Sequence, residues 1–209
     1  MDNHKTQRFI RSRRFAAGDV LGFSGRHFDS WCIRIRDLSR WSHVAILAPY
    51  EGELVIWESV SKPTVPCVVC GELHAGVHAV PIDHGIQSYG GRIWVSRIKD
   101  PLDQCSAERL GIWLTKQHGK PYDHLQVLIS VLPVMWLWGS GYDDRGWFCA
   151  ELVFSCLRRA DRVDRSTSPA SWRPATIMRR LPRAGILEWP EQIWPDVGDE
   201  AGVNASIAT

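Results

Sequence analysis

The chain has 209 residues, with 25 Lys plus Arg against 23 Asp plus Glu and a formal net charge of +2. At 44% hydrophobic and 23% charged residues, its composition is that of a globular domain and excludes wholesale disorder. The near-balance of charge excludes a dedicated nucleic-acid binder, and the length suits one domain with short extensions.

At the N-terminus Arg8, Arg11, Arg13 and Arg14 form a basic cluster with no apolar stretch behind it, unlike a secretory leader. Residues 1–17 are therefore expected to be a solvated basic arm, with peripheral contact to a membrane surface as the other reading. Gly18 introduces a strand at Asp19-Val20-Leu21-Gly22-Phe23. Phe28, Trp31, Ile35 and Leu38 recur at three- and four-residue steps and predict a helix. Ser42 to Leu47 and Leu54 to Glu58 read as the two arms of a β-hairpin turning at Tyr50-Glu51-Gly52-Glu53. Val77 to Ile82 and Arg92 to Ile98 supply two more strands, separated by a turn at Gly90-Gly91.

After Pro101, Ser106 is the expected N-cap of a helix carrying Leu110, Trp113 and Leu114 and stopping at Gly119. A second helix is expected within Leu125 to Trp138, bent at Pro133. The most apolar part of that run, Val127 to Trp138, falls short of the roughly twenty residues a spanning helix needs. A third helix starts near Cys149 and ends at Arg158 and Arg159. Beyond Asp161 no long periodic segment is visible, and residues 183–209 are expected to be an extension with a frayed end. The fold class is α+β, a small antiparallel sheet packed against helices. Six cysteines without a leader predict reduced thiols, and a cytoplasmic location is expected.

Chemistry concentrates at Cys149. Phe148, Leu152, Val153, Cys156 and Leu157 keep helical spacing, so Cys149 falls in the first turn of its helix. Unpaired N–H groups there favour a thiolate and can stabilise an oxyanion. A base is offered by the hairpin. If its turn holds an even number of residues, paired positions sum to an odd number, and His43 and Glu58 share one face with Cβ atoms about 5–8 Å apart. A carboxylate at that spacing can fix the tautomer of an imidazole and stabilise its charged form. Cys156, one helical face deeper, reads as a small core hydrophobe.

The set of Gly18-Asp19-Val20, Trp41-Ser42-His43-Val44-Ala45-Ile46, Trp57-Glu58-Ser59, Gly119-Lys120-Pro121-Tyr122-Asp123 and Phe148-Cys149-Ala150-Glu151-Leu152-Val153 resembles the permuted NlpC-type papain-like proteins, including the YiiX- and YaeF-like amidase-fold enzymes and, more distantly, the lecithin–retinol acyltransferase-like proteins. The resemblance runs from about Gly18 to Arg180. It implies a circularly permuted papain-like fold, a catalytic domain over residues 18–182 and no required cofactor. It also implies Cys149 as nucleophile, His43 as base and Glu58 as its orienting partner, with Asp19, Trp41, Ser42 and Tyr122 lining the site. The chain departs from the pattern in an insertion at about residues 62–76 and in the apolar run ending at Trp138.

The insertion carries Cys67, Cys70, His74 and His78 as C-x2-C-x3-H-x3-H, four zinc-type donors. Structural zinc sites usually separate their ligand pairs by a longer spacer, and His78 falls in a strand, so ordinary loop thiols are the preferred reading. His4, His27, His84, His118 and His124 have no partner that the sequence identifies. The run 125–138 reads as a buried helix or, because Trp136 and Trp138 suit a wet–apolar boundary, as an acyl-chain wall. The leading expectation is a cysteine hydrolase working through an acyl-enzyme on a peptide or cell-wall peptide amide. A lipid ester hydrolase or acyltransferase of the same fold is the alternative. A catalytically idle binding module, associated with a virion or envelope, is the reading from another class.

Overall fold

The computed structural model describes residues 15–25, 38–122, 147–164, 166 and 172–194. Its frame is a six-stranded antiparallel sheet with the order β4-β3-β2-β1-β5-β6. The strands are β1 (Val20–Ser24), β2 (His43–Tyr50), β3 (Glu53–Val60), β4 (Gly76–Pro81), β5 (Arg92–Ser96) and β6 (Glu191–Trp194). The helices are α1 (Ile82–Gln87), α2 (Gln104–Gln117), α3 (Cys149–Arg159) and α4 (Pro174–Arg183).

The β2–β3 hairpin sets the register of everything near the site. Its loop has two residues, Glu51 with φ 49° and Gly52 with φ 84°, the paired left-handed conformation that matches the twist of the flanking strands. Ile46 faces Trp57 and Tyr50 faces Glu53, so the pairing sum is odd, as the even-turn argument requires. Val44 to Ala48 are buried on both faces because β2 lies inside the sheet and is covered above and below.

On one face Val44, Ile46, Ala48, Val55, Trp57, Val77 and Ala79 join Leu110 and Leu114 of α2, Leu152, Val153 and Cys156 of α3, and Ile177, Met178 and Leu181 of α4. On the other face Leu21, Phe23, Ala45, Leu47, Ile56 and Val80 pack with Ile86 of α1, Val65 and Ile193. Helix α2 lies so close to β2 that a Cβ on Gly111 would stand 2.2 Å from the Pro49 carbonyl oxygen. Only glycine lets the two backbones approach that far.

The structure differs from the sequence expectations at several elements. The N-cap of α2 is Asp103, whose carboxylate accepts the Ser106 backbone N–H, so the helix begins two residues before Ser106. Helix α1 lies between β4 and β5, where only a glycine turn was expected. Helix α4 and strand β6 occupy the stretch read as aperiodic, and β6, inside the expected extension 183–209, pairs with β5 as the sheet's edge. The helices expected at 28–38 and 125–138, most of the basic arm and the chain end lie outside the described residues. Among the described residues no helix is long and apolar enough to cross a membrane.

Candidate functional site

The hairpin register brings His43 and Glu58 together. They lie on one face of β2 and β3, diagonal to each other, and His43 Nε2 is 2.6 Å from Glu58 Oε2. On the next strand, β4 places His78 directly opposite Glu58, and His78 Nε2 donates to Glu58 Oε1 at 3.0 Å. The His78 ring is buried, and among the described residues Nδ1 meets no partner, so Nε2 is the protonated nitrogen. One carboxylate therefore accepts an N–H from each of two imidazoles. His78, the last donor of the C-x2-C-x3-H-x3-H pattern, turns to Glu58 in the fold, as its place in a strand allows.

Cys149 opens α3, preceded by Phe148 in an extended conformation, and its sulfur is near enough to the His43 ring, at the N-terminal end of β2, to act on it electrostatically. Because Nε2 of His43 is taken by Glu58, Nδ1 is the nitrogen left for the sulfur. The helix brings its positive end to this point, and Glu151 accepts the Phe148 N–H, which fixes how the chain enters the helix. Cys156 is buried in the core, and burial pushes its thiol well above the ordinary range.

The electrostatics follow from these contacts. Burial works to lower the His43 pKa, but the charge and hydrogen bond of the neighbouring Cys149 sulfur, joined by the bond and charge of Glu58, outweigh it and raise it to about 10. For Glu58, burial works upward, and the hydrogen bonds from His43 and His78 outweigh it, holding the carboxyl far below its ordinary range. A buried anion that accepts two N–H groups stays ionised.

The remaining expected site residues are placed as follows. Tyr122 forms a bridge with Trp147, and its ring centroid is 6.3 Å from that of Phe148, so it borders the start of α3. Ser42 donates its hydroxyl to the Phe23 carbonyl and accepts the Gly25 N–H, tying the approach to β2 onto β1. Trp41 is buried edge-on against Trp94, with the Arg40 and Arg179 guanidiniums near its ring. Asp19 is at the other end of β1 from Phe23, the residue that pairs with His43. Its two carboxylate oxygens accept the backbone N–H groups of Ala16 and Ile98, which makes it a buried clasp between segments rather than a group facing the thiol.

A second cluster of donors lies beside the first. Cys67, Cys70 and His74 of the β3–β4 insertion meet His118, the residue that ends α2, with donor atoms all within 4.8 Å of one another. His118, not His78, is the fourth member. The rings of His74 and His78 touch edge to face, with centroids 5.8 Å apart.

No protein family matches the chain by sequence, and no curated protein matches it. Among solved structures it is similar to metalloprotein yiiX from Escherichia coli O157:H7, at 20% identity and a TM-score of 0.51. That alignment covers 69% of this chain and 66% of the yiiX chain, so the present chain spans just under two thirds of its neighbour. The likeness is one of fold: an α+β domain of the kind seen in that YiiX-like structure.

Proposed function

We propose that the protein is a cysteine hydrolase acting through an acyl-enzyme, with Cys149 as nucleophile, His43 as general base and acid, and Glu58 as the group that orients and charges the imidazole. The observation that supports this reading is the His43–Glu58 pair with Cys149, the first residue of a helix, beside it. The YiiX-like fold is consistent with an enzyme of papain-like type.

In this scheme His43 Nδ1 already holds the proton given up by the thiol, and the sulfur attacks a carbonyl carbon. The oxyanion forms near the first-turn N–H groups of α3. As the carbon–nitrogen bond breaks, His43 returns the proton to the leaving amine, leaving a thioester on Cys149. Water then gives a proton to His43 and its oxygen to the acyl carbon. The acid departs and the thiol is restored. Glu58 stays ionised throughout, because His78 holds its second oxygen.

The preferred substrate is an amide of a peptide or cell-wall peptide. The apolar sequence from Val127 to Trp138 favours a second reading, a lipid ester or acyl transfer with the same residues. Incubation with short peptide anilides and with acyl nitrophenyl esters, followed by acid quench and intact mass measurement, tests the proposal. The expected result is an acyl adduct on Cys149 that is absent in Cys149→Ala. Turnover or adduct surviving that substitution would defeat it, and inertness of the wild type toward both panels would favour the idle binding module.

A further inference from the structure

We infer that Cys67, Cys70, His74 and His118 form a binding site for one zinc ion that fastens the β3–β4 insertion to the end of α2. This inference stands apart from the proposed hydrolase activity and uses none of its residues.

Two edges of the cluster are close to those of a zinc tetrahedron, and the four donor atoms lie within 4.8 Å of one another. Zinc–sulfur bonds of about 2.3 Å and zinc–nitrogen bonds of about 2.0–2.1 Å set tetrahedral edges of about 3.3 Å between nitrogens and about 3.6 Å between sulfur and nitrogen. His74 Nε2 and His118 Nε2 are 3.0 Å apart, and Cys67 Sγ is 3.4 Å from His118 Nε2. Each of these two separations is within a few tenths of an ångström of the corresponding edge. Cys70, exposed on the turn, supplies the last one.

The surroundings of each donor suit coordination. His74 Nδ1 lies 3.2 Å from the Ala75 carbonyl, which can only accept, so Nδ1 carries the proton and Nε2 turns its lone pair into the cluster. Metal-ligating histidines are held in this way by the other nitrogen. Cys67 Sγ accepts the backbone N–H groups of Val69 and Ala79, each at 3.4 Å, two bonds suited to a sulfur carrying negative charge. The Gly71 N–H bonds the Cys67 carbonyl at 2.8 Å, curling Cys67 to Gly71 into a tight turn with both sulfurs on it. His118 is brought to that turn because Gly119 N–H bonds the Val77 carbonyl and Val77 N–H bonds the Lys120 carbonyl. Two thiolates and two imidazoles make a closed, neutral set for a divalent ion, and each thiol releases its proton on binding.

The test uses the full chain, expressed with added zinc and purified without chelator. Metal analysis is expected to give one zinc per chain. After chelator stripping, cobalt(II) alone is expected to bind one equivalent, with tetrahedral d–d bands and a thiolate-to-cobalt charge-transfer band. Cys70→Ser and His118→Asn should each weaken cobalt binding by at least about a hundredfold. Cys105→Ser, an exposed thiol outside the cluster, should leave it unchanged. Circular dichroism checks that the variants are folded, and stripping should lower the melting temperature by about 5–10 °C. Trace metal with no cobalt–thiolate band in the wild type, a Cys67–Cys70 disulfide as the resting state, or undiminished metal affinity in the two ligand variants would each overturn the assignment.

Discussion

Replacing Glu58 by glutamine tests the arrangement on the sheet because it keeps the shape and removes one charge and one acceptor. In the native fold each carboxylate oxygen accepts an N–H, from His43 at 2.6 Å and from His78 at 3.0 Å. A carboxamide has a single oxygen, so its NH2 must face one of the rings. If the oxygen keeps His43, a charge-assisted bond becomes a neutral one, a loss of about 1–1.5 kcal/mol. The NH2 group then confronts buried His78, which must move its proton to Nδ1, where the described residues offer no partner. Leaving that donor buried and unpaired costs about 1–3 kcal/mol. The sum, about 2–4.5 kcal/mol, corresponds to a melting temperature lower by about 4–18 °C in a chain of this size. The His43 pKa should fall as well, since the charge of Glu58 goes and its hydrogen bond becomes a neutral one. Thermal melts at pH 6 and a histidine titration by NMR read the two effects. A melting temperature within about a degree of wild type, well below the stability loss expected for an unpaired buried donor, together with an unmoved titration, would refute the two-imidazole carboxylate.

The His43 shift also makes stability depend on pH. A group whose folded pKa is raised contributes fully below its unfolded value of 6.5 and loses that contribution as pH rises toward about 10. The melting-temperature gap between wild type and His43→Gln should therefore be widest at pH 5–6.5 and close toward pH 10; a gap that grows with pH in parallel melts would contradict it. Asp19→Asn should destabilise by about 1–3 kcal/mol, because one of the Ala16 and Ile98 N–H groups loses its acceptor. The same variant should leave the alkylation rate of Cys149 unchanged, and a selective loss of that rate at unaltered stability would return Asp19 to the site.

What was legible in the sequence follows the range over which each signal acts. His43 and Glu58 could be paired because a two-residue turn at Glu51-Gly52 fixes parity, and parity decides which side chains share a face. Cys149 could be put at a helix start because Phe148, Leu152, Val153 and Cys156 keep helical spacing. His78 and His118 were read differently for one reason. The strand at 76–81 was visible, but its register against β3 depends on the path of the 61–75 loop, which no periodicity encodes. His118 ends a helix far along the chain from Cys67 and meets it only through the pairing of Val77 with residues 119 and 120. Helix α4 escaped notice because Pro174 and Pro182 bracket a short stretch whose apolar residues, Ile177, Met178 and Leu181, make a narrow stripe among arginines. Asp19 looked like a site residue because it precedes a strand in a matching motif. Its carboxylate serves backbone groups that only the tertiary fold brings near.

The central claim is that Cys149 is an activated nucleophile although it is almost wholly buried, and selective alkylation measures that directly. Native protein treated with limiting iodoacetamide at mildly acidic pH and mapped by peptide mass spectrometry should carry label on Cys149 ahead of exposed Cys105, and His43→Ala should abolish the preference. Label appearing first on Cys105, with Cys149 reacting only when the protein unfolds, would mean that the sulfur is an inert part of the core.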